Sequence, residues 1–555
     1  SVTYFPPPVV PPTVAVASPT PASPEATATP ASSPVAAVDT PSIAPKEDRL
    51  YTSSAEYTFE NDKGGVEQVL LYSHRGEQSH NVLLNEKGTA PIGTINFEGG
   101  DTLKGFAMQS DSAKGDVVFK TTTKDGIEIT KRFHLPDNIS PNAQYLIGME
   151  VSFRNPTPAK VDFPAYSISA GRAVPIHLSD IPLYTRFDWL RDGKMTNIDV
   201  NWFTGSKIPL IGYQISAPNS LYTAKADKIT WAAVSSQYFC TIICALDSGG
   251  AQVWAKRFLV REEDNKQIYG IEGALGFSAF SLAPQEEITR KLTVYAGPKD
   301  YTILQKFGEG QQDIMKYGWF KFVSVFLLKS MNWLYGKLGN YAWAIIVLTL
   351  CIKTVMWPLQ NKATQSMKKM SALSPKMTEL REKYKDDPTK MNEELMKLYR
   401  EYNVNPFSGC LPMLIQIPIF FGFYSMLGTS IELRNSSFLW IHDLSQPDTV
   451  FHISGFPINI LPLIMAGTMI WQMTLTPKSG DATQQRFMFF MPVIFIVFCY
   501  NYASALALYW TTQNIFSIVQ LYFTRNAPLP TLEKKSDVTR RQALEEKKKR
   551  KQRKL

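Results

Sequence analysis

The sequence predicts a multi-domain chain in which an all-β domain precedes an α-helical membrane core with several spans. Two observations carry this prediction. Short β-branched or alternating runs, separated by Gly, Pro, Asn and Asp, fill residues 46–300, and five long apolar runs lie after residue 340. A length of 555 residues leaves room for three or four structural units at roughly 150 residues each.

Charge and cysteine content narrow the possible classes. Lys and Arg number 58 against 49 Asp and Glu, and residues 531–555 alone hold eleven basic and four acidic residues. The rest of the chain is therefore nearly neutral, which argues against nucleic-acid binding by the part of the chain before this tail. The five cysteines are too few for a disulfide scaffold and show no zinc-ligand spacing.

Residues 1–45 predict an extended linker. They contain twelve of the 37 prolines and only two charged residues. Such a segment lacks the apolar side chains for a core and is typical of a polyproline-like tether.

Residues 46–300 predict a large β-sandwich. The clearest strand patterns lie at 66–72, 115–123, 128–134, 145–153 and 290–294. The four histidines of this region have no metal-ligand spacing, and neither a phosphate-binding loop nor a nucleophile elbow occurs. The region therefore offers no evident catalytic machinery.

Residues 301–340 predict a linker and an interfacial helix. Within them, 311–330 combines aromatic and aliphatic residues with three lysines. This amphipathic composition suits a membrane interface, and a soluble core helix is the alternative interpretation.

Five apolar runs in residues 341–525 predict a polytopic membrane core. They lie at about 341–359, 411–428, 457–475, 487–503 and 505–523. Each is near the length that crosses ~30 Å of hydrocarbon at about 1.5 Å per residue.

The charges between these runs predict their orientation. Residues 361–409 hold ten Lys and Arg, 476–486 hold two and the tail from residue 524 holds twelve, whereas 429–455 hold one. The positive-inside rule places the first three segments in the cytoplasm and the last outside. Five spans that end inside must begin outside, so the β domain is expected outside, and we expect one further span before Ser1.

Residues 361–404 predict a cytoplasmic helical hairpin with a break near Asp386, Asp387 and Pro388. The segment is rich in methionine, whose flexible side chain can repack around varied apolar partners. Simple gap filling by methionine is the alternative. The candidate substrate contacts are Met367, Met370, Met377, Met391 and Met396.

Lys353 is the only charged residue in the first apolar run. An ionisable side chain in hydrocarbon costs several kcal/mol unless water or a partner stabilises it. Snorkelling toward the cytoplasm is one explanation. The other is a wet groove, because the runs contain no acidic residue and several polar ones that could line a shared cavity, namely Thr349, Gln416, Trp510, Asn514 and Ser517.

From about residue 48 to 525 the sequence closely resembles the YidC-type membrane protein insertases of Gram-negative bacteria, relatives of the mitochondrial Oxa and chloroplast Alb insertases. The motifs that carry the resemblance are KGGVEQVLL (63–71), SQYF (236–239), YAGP (295–298), KTVMWPLQNKATQSMKKM (353–370), NPFSGCLPMLIQIPIF (405–420), SFLWIHDLS (437–445) and MPVIF (491–495). The block at 405–420 is the most specific of them.

The resemblance implies a periplasmic β-supersandwich related to sugar-binding mutarotase-like folds, an interfacial helix, a cytoplasmic hairpin and a five-helix core with a groove open to cytoplasm and lipid. The implied groove positions are Thr349, Lys353, Gln416, Tyr509, Trp510, Asn514 and Ser517. Two positions depart from the family pattern. Lys353 replaces the usual Arg, and 502–505 reads Tyr-Ala-Ser-Ala in place of Phe-Pro-Ser-Gly.

These features predict an insertase of the bacterial inner membrane that transfers hydrophobic segments of nascent proteins into the bilayer. It would not be an enzyme and would use no cofactor and no small-molecule substrate. The expected partners are nascent membrane proteins, lipid, the Sec translocon and the ribosome. Ribosome contact is predicted for the basic tail 526–555, through Lys547, Lys548, Lys549, Arg550, Lys551, Arg553 and Lys554.

Two other functions are open from sequence. One is a membrane-anchored periplasmic protein that binds or modifies carbohydrate, although a single span would suffice as its anchor. The other is a secondary transporter, which predicts inverted repeats and broken helices that the sequence does not show.

Overall fold

In the computed structural model the described residues are 47–76, 80–86, 90–98, 100–111, 115–136, 143–177, 180–205, 217–247, 249–263, 266–308, 310–402, 404–405, 411–476 and 482–525. The predicted linker 1–45 and basic tail 526–555 lie outside these residues.

The N-terminal half of the described chain is built from strands, as the sequence predicts. The strands are β1 Glu47–Tyr51, β2 Ala55–Glu60, β3 Gly65–Arg75, β4 Asn81–Leu84, β5 Ile95–Phe97, β6 Ala107–Asp111, β7 Asp116–Thr122, β8 Glu128–His134, β9 Leu146–Arg154, β10 Val161–Phe163, β11 Tyr166–Ala173, β12 Arg186–Arg191, β13 Lys194–Asp199, β14 Tyr222–Ser235, β15 Phe239–Ala245, β16 Gly250–Glu263, β17 Lys266–Phe277, β18 Phe280–Leu282 and β19 Glu287–Pro298.

These strands form one large sheet, a smaller four-stranded sheet that packs on it, and a separate pair of β10 with β18. The large sheet runs β5-β11-β17-β16-β14-β15-β19-β9-β8-β7-β6, with β12 and β13 attached through β14, and the small sheet runs β1-β2-β3-β4. Neighbouring strands such as β15 and β19, β19 and β9, β8 and β9, and β2 and β3 pair antiparallel. Phe59 of the small sheet packs against Phe119 and Phe133 of the large one. Alternation of buried and more exposed residues along strands such as β7 and β8 buries one of their faces in this shared core, whereas β11, β12 and β15 are buried along most of their length.

The five strand patterns read from the sequence fall on β3, β7, β8, β9 and β19. Each strand begins and ends within a few residues of the predicted bounds, except that β19 extends from Glu287 to Pro298. The β-sandwich prediction is therefore confirmed.

The remaining elements are mostly helical. They are α1 Tyr301–Phe307, α2 Lys321–Leu338, α3 Tyr341–Lys383, α4 Pro388–Glu401, α5 Leu411–Leu427, α6 Ile460–Leu475, α7 Ala482–Cys499 and α8 Ser504–Arg525, with a hairpin of β20 Thr449–Ile453 and β21 Phe456–Asn459 between α5 and α6.

The predicted interfacial helix begins later than the sequence suggested. A helix was expected over 311–330, but α2 starts at Lys321, after two short 3-10 turns. The physical reason is that Lys316 and Gly318 adopt left-handed backbone angles, with φ of 52° and 66°, which interrupt an α-helix.

Helix α2 is amphipathic in its packing. Its buried side includes Leu327 and Met331, whereas Phe322, Phe326 and Trp333 are exposed. Ser324 Oγ donates to the carbonyl oxygen of Gly422 in α5 at 3.1 Å. The helix therefore packs on the core with one face and leaves an aromatic face uncovered.

One helix of the described chain, α3, is both long and apolar enough to cross a membrane by length and composition. Leu414–Leu427, Ile460–Leu475 and Phe490–Cys499 are shorter apolar helices. The five helices α3, α5, α6, α7 and α8 each overlap one of the five predicted runs, and α3 extends well beyond its run.

The first run and the first arm of the predicted helical hairpin are one continuous helix. Helix α3 spans 43 residues and contains Pro358 and Pro375, and α4 follows after the break at Asp387, which caps it by accepting from the Lys390 amide. The two arms share a small core formed by Leu373, Met377, Leu395, Leu398, Tyr402 and Val404.

The β domain contacts the helical region through polar groups. Gln237 Nε2 donates to the carbonyl oxygen of Gly428 at 2.8 Å, and Tyr238 Oη donates to that of Ser445 at 3.0 Å. Tyr184 Oη lies 3.4 Å from Tyr502 Oη. The turn of unusual sequence at 502–505 is therefore part of this contact, and Tyr502 also stacks on Tyr424.

Candidate functional site

A narrow cleft lies between α3, α5 and α8, with a cavity volume of about 10 Å³, which is close to the room that one water molecule needs. It is lined by Thr349, Ile352, Lys353, Met356, Gln416, Ile419, Tyr509 and Gln513. Four of the predicted groove residues are therefore brought together: Thr349, Lys353, Gln416 and Tyr509.

Lys353 is the cation of this cleft. It is only 6% exposed, and its Nζ donates to Ser517 Oγ of α8 at 3.3 Å. Within the described part of the chain, no carboxylate lies within 4.0 Å of this ammonium. Lys353 thus has a hydrogen-bond partner but lacks a counter-ion there.

Thr349 lies one turn before Lys353 on the same face of α3. Its hydroxyl donates to the carbonyl oxygen of Ile345 at 2.7 Å. This bond satisfies the hydroxyl inside its own helix, so Thr349 contributes a small polar surface without requiring a partner across the cleft.

Gln416 of α5 connects two residues of α8. Its Nε2 donates to Tyr509 Oη at 2.8 Å and to Gln513 Oε1 at 3.0 Å. The Tyr509 ring stacks on Phe423 with centroids 4.1 Å apart. These contacts fix the polar groups on the α5 and α8 sides of the cleft.

Ser517 does not line the cleft directly but holds its lysine. Its hydroxyl donates to the carbonyl oxygen of Gln513 at 2.9 Å and accepts from Lys353. The hydroxyl therefore orients the ammonium toward α8.

Trp510 and Asn514 are not among the residues that line the cleft. Trp510 packs between Phe420 and Phe495, with centroids 5.0 and 4.5 Å away. Asn514 Nδ2 donates to the Met465 carbonyl at 3.3 Å and to Thr468 Oγ1 at 3.1 Å, both in α6. In this structure both residues join α8 to other helices, and their role in a groove stays a prediction.

Gln513 is a cleft residue that the sequence reasoning missed. Tyr509, Gln513, Ser517 and Gln520 follow one another at helical spacing on α8. Gln520 Nε2 donates to Asn361 Oδ1 of α3 at 3.0 Å. This row of α8 residues therefore also contacts α3 beyond the cleft, toward the C-terminal end of α8. The helical spacing of these four residues is the sequence signal that could have identified Gln513. Trp510, Asn514 and Ser517 have a similar spacing on the same helix, so the sequence alone did not show which row faces the cleft.

The apolar surroundings of the cleft are exposed in the absence of a bilayer. Val355 on α3, Leu414 on α5, and Val519 and Phe523 on α8 all point outward. The cleft is thus a small polar site on helices whose outer faces suit lipid.

The predicted substrate-contact methionines differ in exposure. Met377 is buried in the core of the helical hairpin, and Met370 and Met391 pack against that core. Met367 is half-buried and Met396 is exposed. Met396 is the most exposed of the five, at 45%, so the five residues do not form one uniform surface in this structure.

The chemistry available in the cleft is electrostatic and hydrogen-bonding. It offers one ammonium, two amides and a phenol. Among the described residues, no group of three or more His, Cys, Asp or Glu side chains could hold a metal ion. The tail lysines and arginines at 547–554 lie outside the described residues.

Two family models match the chain. Residues 50–330 match the YidC periplasmic domain, and residues 333–530 match the 60Kd inner membrane protein family. The two matches meet within α2, because one ends at residue 330 and the other begins at residue 333.

Relatives span both regions. A membrane protein insertase YidC from Nitratidesulfovibrio vulgaris is 31% identical over 452 residues, which cover 80% of this chain and 75% of that protein. One from Citrifermentans bemidjiense is 31% identical over 86% of this chain and 84% of its own length. A third, from Syntrophobacter fumaroxidans, is 41% identical over 302 residues, and this match covers about half of either protein, 53%.

A solved structure is also similar, described as an active YidC insertase with the first transmembrane domain resolved. It is 21% identical, with a TM-score of 0.35 over 87% of this chain and 93% of the other. The length and identity of the sequence matches settle the assignment: this chain belongs to the YidC family of membrane protein insertases.

Proposed function

We propose that the cleft around Lys353 receives the polar or acidic flank of a hydrophobic segment while that segment moves from the cytoplasm into the bilayer. The observation that supports this is the buried ammonium, which bonds to Ser517 but has no carboxylate partner in the described part of the chain. A cation without a counter-ion is available to an incoming anionic group.

The cleft would lower a desolvation barrier. A backbone or side-chain polar group that enters hydrocarbon unpaired costs several kcal/mol. Gln416, Gln513 and Tyr509 offer hydrogen-bond partners part-way along the helices, while the exposed apolar faces of α3 and α8 would accompany the hydrophobic part of the substrate.

The proposed orientation follows the charge of the connecting segments. The helical hairpin, the 476–486 segment and the tail would lie in the cytoplasm, and the β domain and 429–455 in the periplasm. Gln237 and Tyr238 of the β domain contact Gly428 and Ser445. These contacts support placing the β domain and residues 429–455 on the same side of the membrane. The exposed aromatic face of α2 would lie in the adjoining membrane interface.

The partners follow from this orientation. The helical hairpin would meet nascent chains with its exposed residues, Met396 among them, and the tail would meet ribosomal RNA through its basic side chains. Cooperation with the Sec translocon is part of the same proposal. A periplasmic carbohydrate-binding function is not favoured, since it gives no role to the cleft.

The test is reconstitution of the full-length protein in liposomes with a small phage-coat-like substrate, scored by protease protection of the inserted segment. Insertion is expected to exceed that of protein-free liposomes and to depend on the cleft. Protection at the level of empty liposomes, with the protein folded and correctly oriented, would overturn the proposal.

A further inference from the structure

The hairpin formed by β20 and β21 has an unusual surface. Its side chains Val450, Phe451, Ile453 and Phe456 are each at least 48% exposed. Among the described residues the two strands pair only with each other, around a turn in which Ser454 and Gly455 adopt φ of 51° and 83°. Neither outer edge is therefore paired with a further strand there, although the Tyr500 hydroxyl bonds the Asn459 amide and the Pro457 carbonyl of β21.

A hairpin of this kind facing water would be prone to aggregate. Soluble proteins protect exposed strand edges with charges, Pro or covering segments. Residues 449–459 contain no Asp, Glu, Lys or Arg. The composition therefore fits an apolar or interfacial environment better than solvent.

The hairpin is held firmly at the ends of two apolar helices. Asn459 Nδ2 donates to the carbonyl oxygen of Tyr500 at 2.6 Å, and Tyr500 Oη donates to that of Pro457 at 2.7 Å. Phe456 stacks on the Tyr500 ring with centroids 5.5 Å apart. Because α6 starts at Ile460 and α7 ends at Cys499, these contacts place the hairpin at the level where both helices end.

A tryptophan marks the same level. Trp440 Nε1 donates to Asp448 Oδ2 at 3.1 Å, and that oxygen also accepts from the Leu461 amide in the first turn of α6, at 2.6 Å. The polar end of the indole is thus tied to a helix end, while its ring is partly exposed. Tryptophans in this arrangement are typical of the membrane–water interface.

We propose that residues 449–459 lie in the lipid interface of the leaflet next to the β domain, as a membrane anchor additional to α2. Lipid is the occupant because the hairpin continues directly into α6, whose Leu463 and Ile464 are exposed, and because no charge is present to pair with a protein surface. The anchor would fix the height of α6 and α7 in the bilayer. This inference goes beyond insertion itself and does not require the cleft to work.

The test uses the full-length chain with Cys244, Cys351 and Cys410 replaced by Ser and one new cysteine labelled with an environment-sensitive fluorophore. Ile453→Cys probes the hairpin near its turn, and Val450→Cys probes the start of the same strand. Lys225→Cys, exposed on the β domain, is the aqueous control, and Phe490→Cys, exposed near the middle of α7, is the control for hydrocarbon. The protein is placed in phosphatidylcholine–phosphatidylglycerol vesicles containing lipids spin-labelled near the headgroup or deep in the acyl chain.

Ile453→Cys is expected to emit at shorter wavelength than Lys225→Cys and to be quenched several-fold more by the shallow label. Phe490→Cys should be quenched most by the deep label. Aqueous emission from both hairpin positions would overturn the proposal. Short-wavelength emission without quenching by either lipid would overturn it too, because a protein surface would then cover the hairpin. Insertion activity is not the readout, so failure here is distinguishable from failure of the proposed function.

Discussion

Arg434, in the segment after α5, lies 3.0 Å from His177 Nε2 of the β domain, and its Nη2 donates to the carbonyl oxygen of Arg75 at 2.7 Å. The guanidinium also lies over the rings of Tyr238 and Phe239. One buried side chain thereby joins three separate parts of the β domain to the helical region.

Arg434→Ala should loosen this junction. The substitution leaves the Arg75 carbonyl without its donor and removes two cation–π contacts, at a cost of about 1–3 kcal/mol. We expect faster proteolysis between the β domain and α2, measured by limited trypsin digestion in detergent. Arg434→Lys is the matched control, which keeps the charge but loses the planar fork. Unchanged digestion of Arg434→Ala would remove Arg434 from this role.

The β domain itself is predicted to be largely dispensable for insertion, because the cleft lies wholly in the later helices. The structure sets the bounds of the deletion at 47–299, because the strands of the domain run from β1, which begins at Glu47, to β19, which ends at Pro298. A variant that lacks the β domain but keeps a membrane anchor and α2 has also lost the residues that Arg434 contacts. We therefore expect the deletion combined with Arg434→Gln to insert substrate at least as well as the deletion alone. Loss of insertion in both variants, when folded and correctly oriented, would contradict the prediction.

Two methionines of the helical hairpin should respond differently to the same change. Met377→Ser places a hydroxyl in the core shared by α3 and α4, so it should destabilise the helical hairpin by about 2–4 kcal/mol. Met396→Ser alters an exposed side chain and should lower insertion without changing thermal stability. Proteolysis and insertion assays on both variants separate the two roles.

Deletion of 372–400 should impair insertion and leave the membrane core folded, and normal insertion by that variant would refute a receiving role.

The basic tail should carry ribosome affinity. Eleven basic residues within 531–555 would contact phosphates and release counterions, so binding should fall steeply with salt. Removal of 531–555 is expected to reduce co-sedimentation with ribosomes at moderate salt. Equal co-sedimentation of the truncated and full-length chains would discard this function for the tail.

Glu432 should make stability depend on pH. Burial raises the pKa of its carboxyl to about 7, with the negative charge of Asp300 adding to the effect, and Asn332 Nδ2 donates to it at 3.2 Å. The folded state then keeps a proton that the unfolded state loses near pH 4.5. Protonated Glu432 therefore makes its full contribution to the free energy of unfolding below that pH. As the pH rises to about 7 this contribution is lost, and the free energy of unfolding falls by at most about 3 kcal/mol.

The measurement compares thermal unfolding of wild type and Glu432→Gln in detergent at pH 5 and pH 7.5. The variant should lose less stability over this interval than wild type. The comparison is needed because burial lowers the pKa of His74 to about 4, with the charge of Arg434 adding to this shift, and His74 thus favours the opposite trend. Parallel pH profiles of the two proteins would show that Glu432 is ionised in the folded state.

The sequence predicted the elements whose residue pattern repeats locally. Strand β8, for example, was assigned at its observed bounds because alternation alone defines it. The start of α2 was wrong, since the left-handed angle at Lys316 is a conformation that residue type does not announce. The continuity of α3 into the helical hairpin was likewise hidden, because polarity changes at the membrane surface while the helix does not end.

The site was predictable only in part. Lys353 stood out because a lone charge in an apolar run has a large energetic cost. Which face of α8 meets α3 could not be read from the sequence, because two polar rows, through Trp510 and through Tyr509, have nearly the same helical period. Packing of Asn514 on α6 selects between them, and this depends on contacts between distant segments.

The central claim is that Lys353 attracts substrate instead of stabilising the fold. Lys353→Ala leaves Ser517 bonded to the Gln513 carbonyl and strands no carboxylate among the described residues, so stability should change by less than about 1 kcal/mol. Ser517→Ala is the matched control, which removes the hydrogen bond to Lys353 but keeps its charge. Lys353→Arg should function, and Lys353→Glu should be impaired at least as much as Lys353→Ala.

The most direct measurement is insertion of paired substrates that differ only in the charge of the translocated flank, at matched protein levels, by wild type, Lys353→Ala and Ser517→Ala. The account predicts that Lys353→Ala inserts the acidic-flank substrate roughly tenfold less well than wild type, equivalent to about 1.4 kcal/mol, while the neutral-flank substrate and Ser517→Ala are affected much less. Equal insertion of both substrates by wild type and Lys353→Ala would contradict it, as would thermal destabilisation with uniform loss for both substrates.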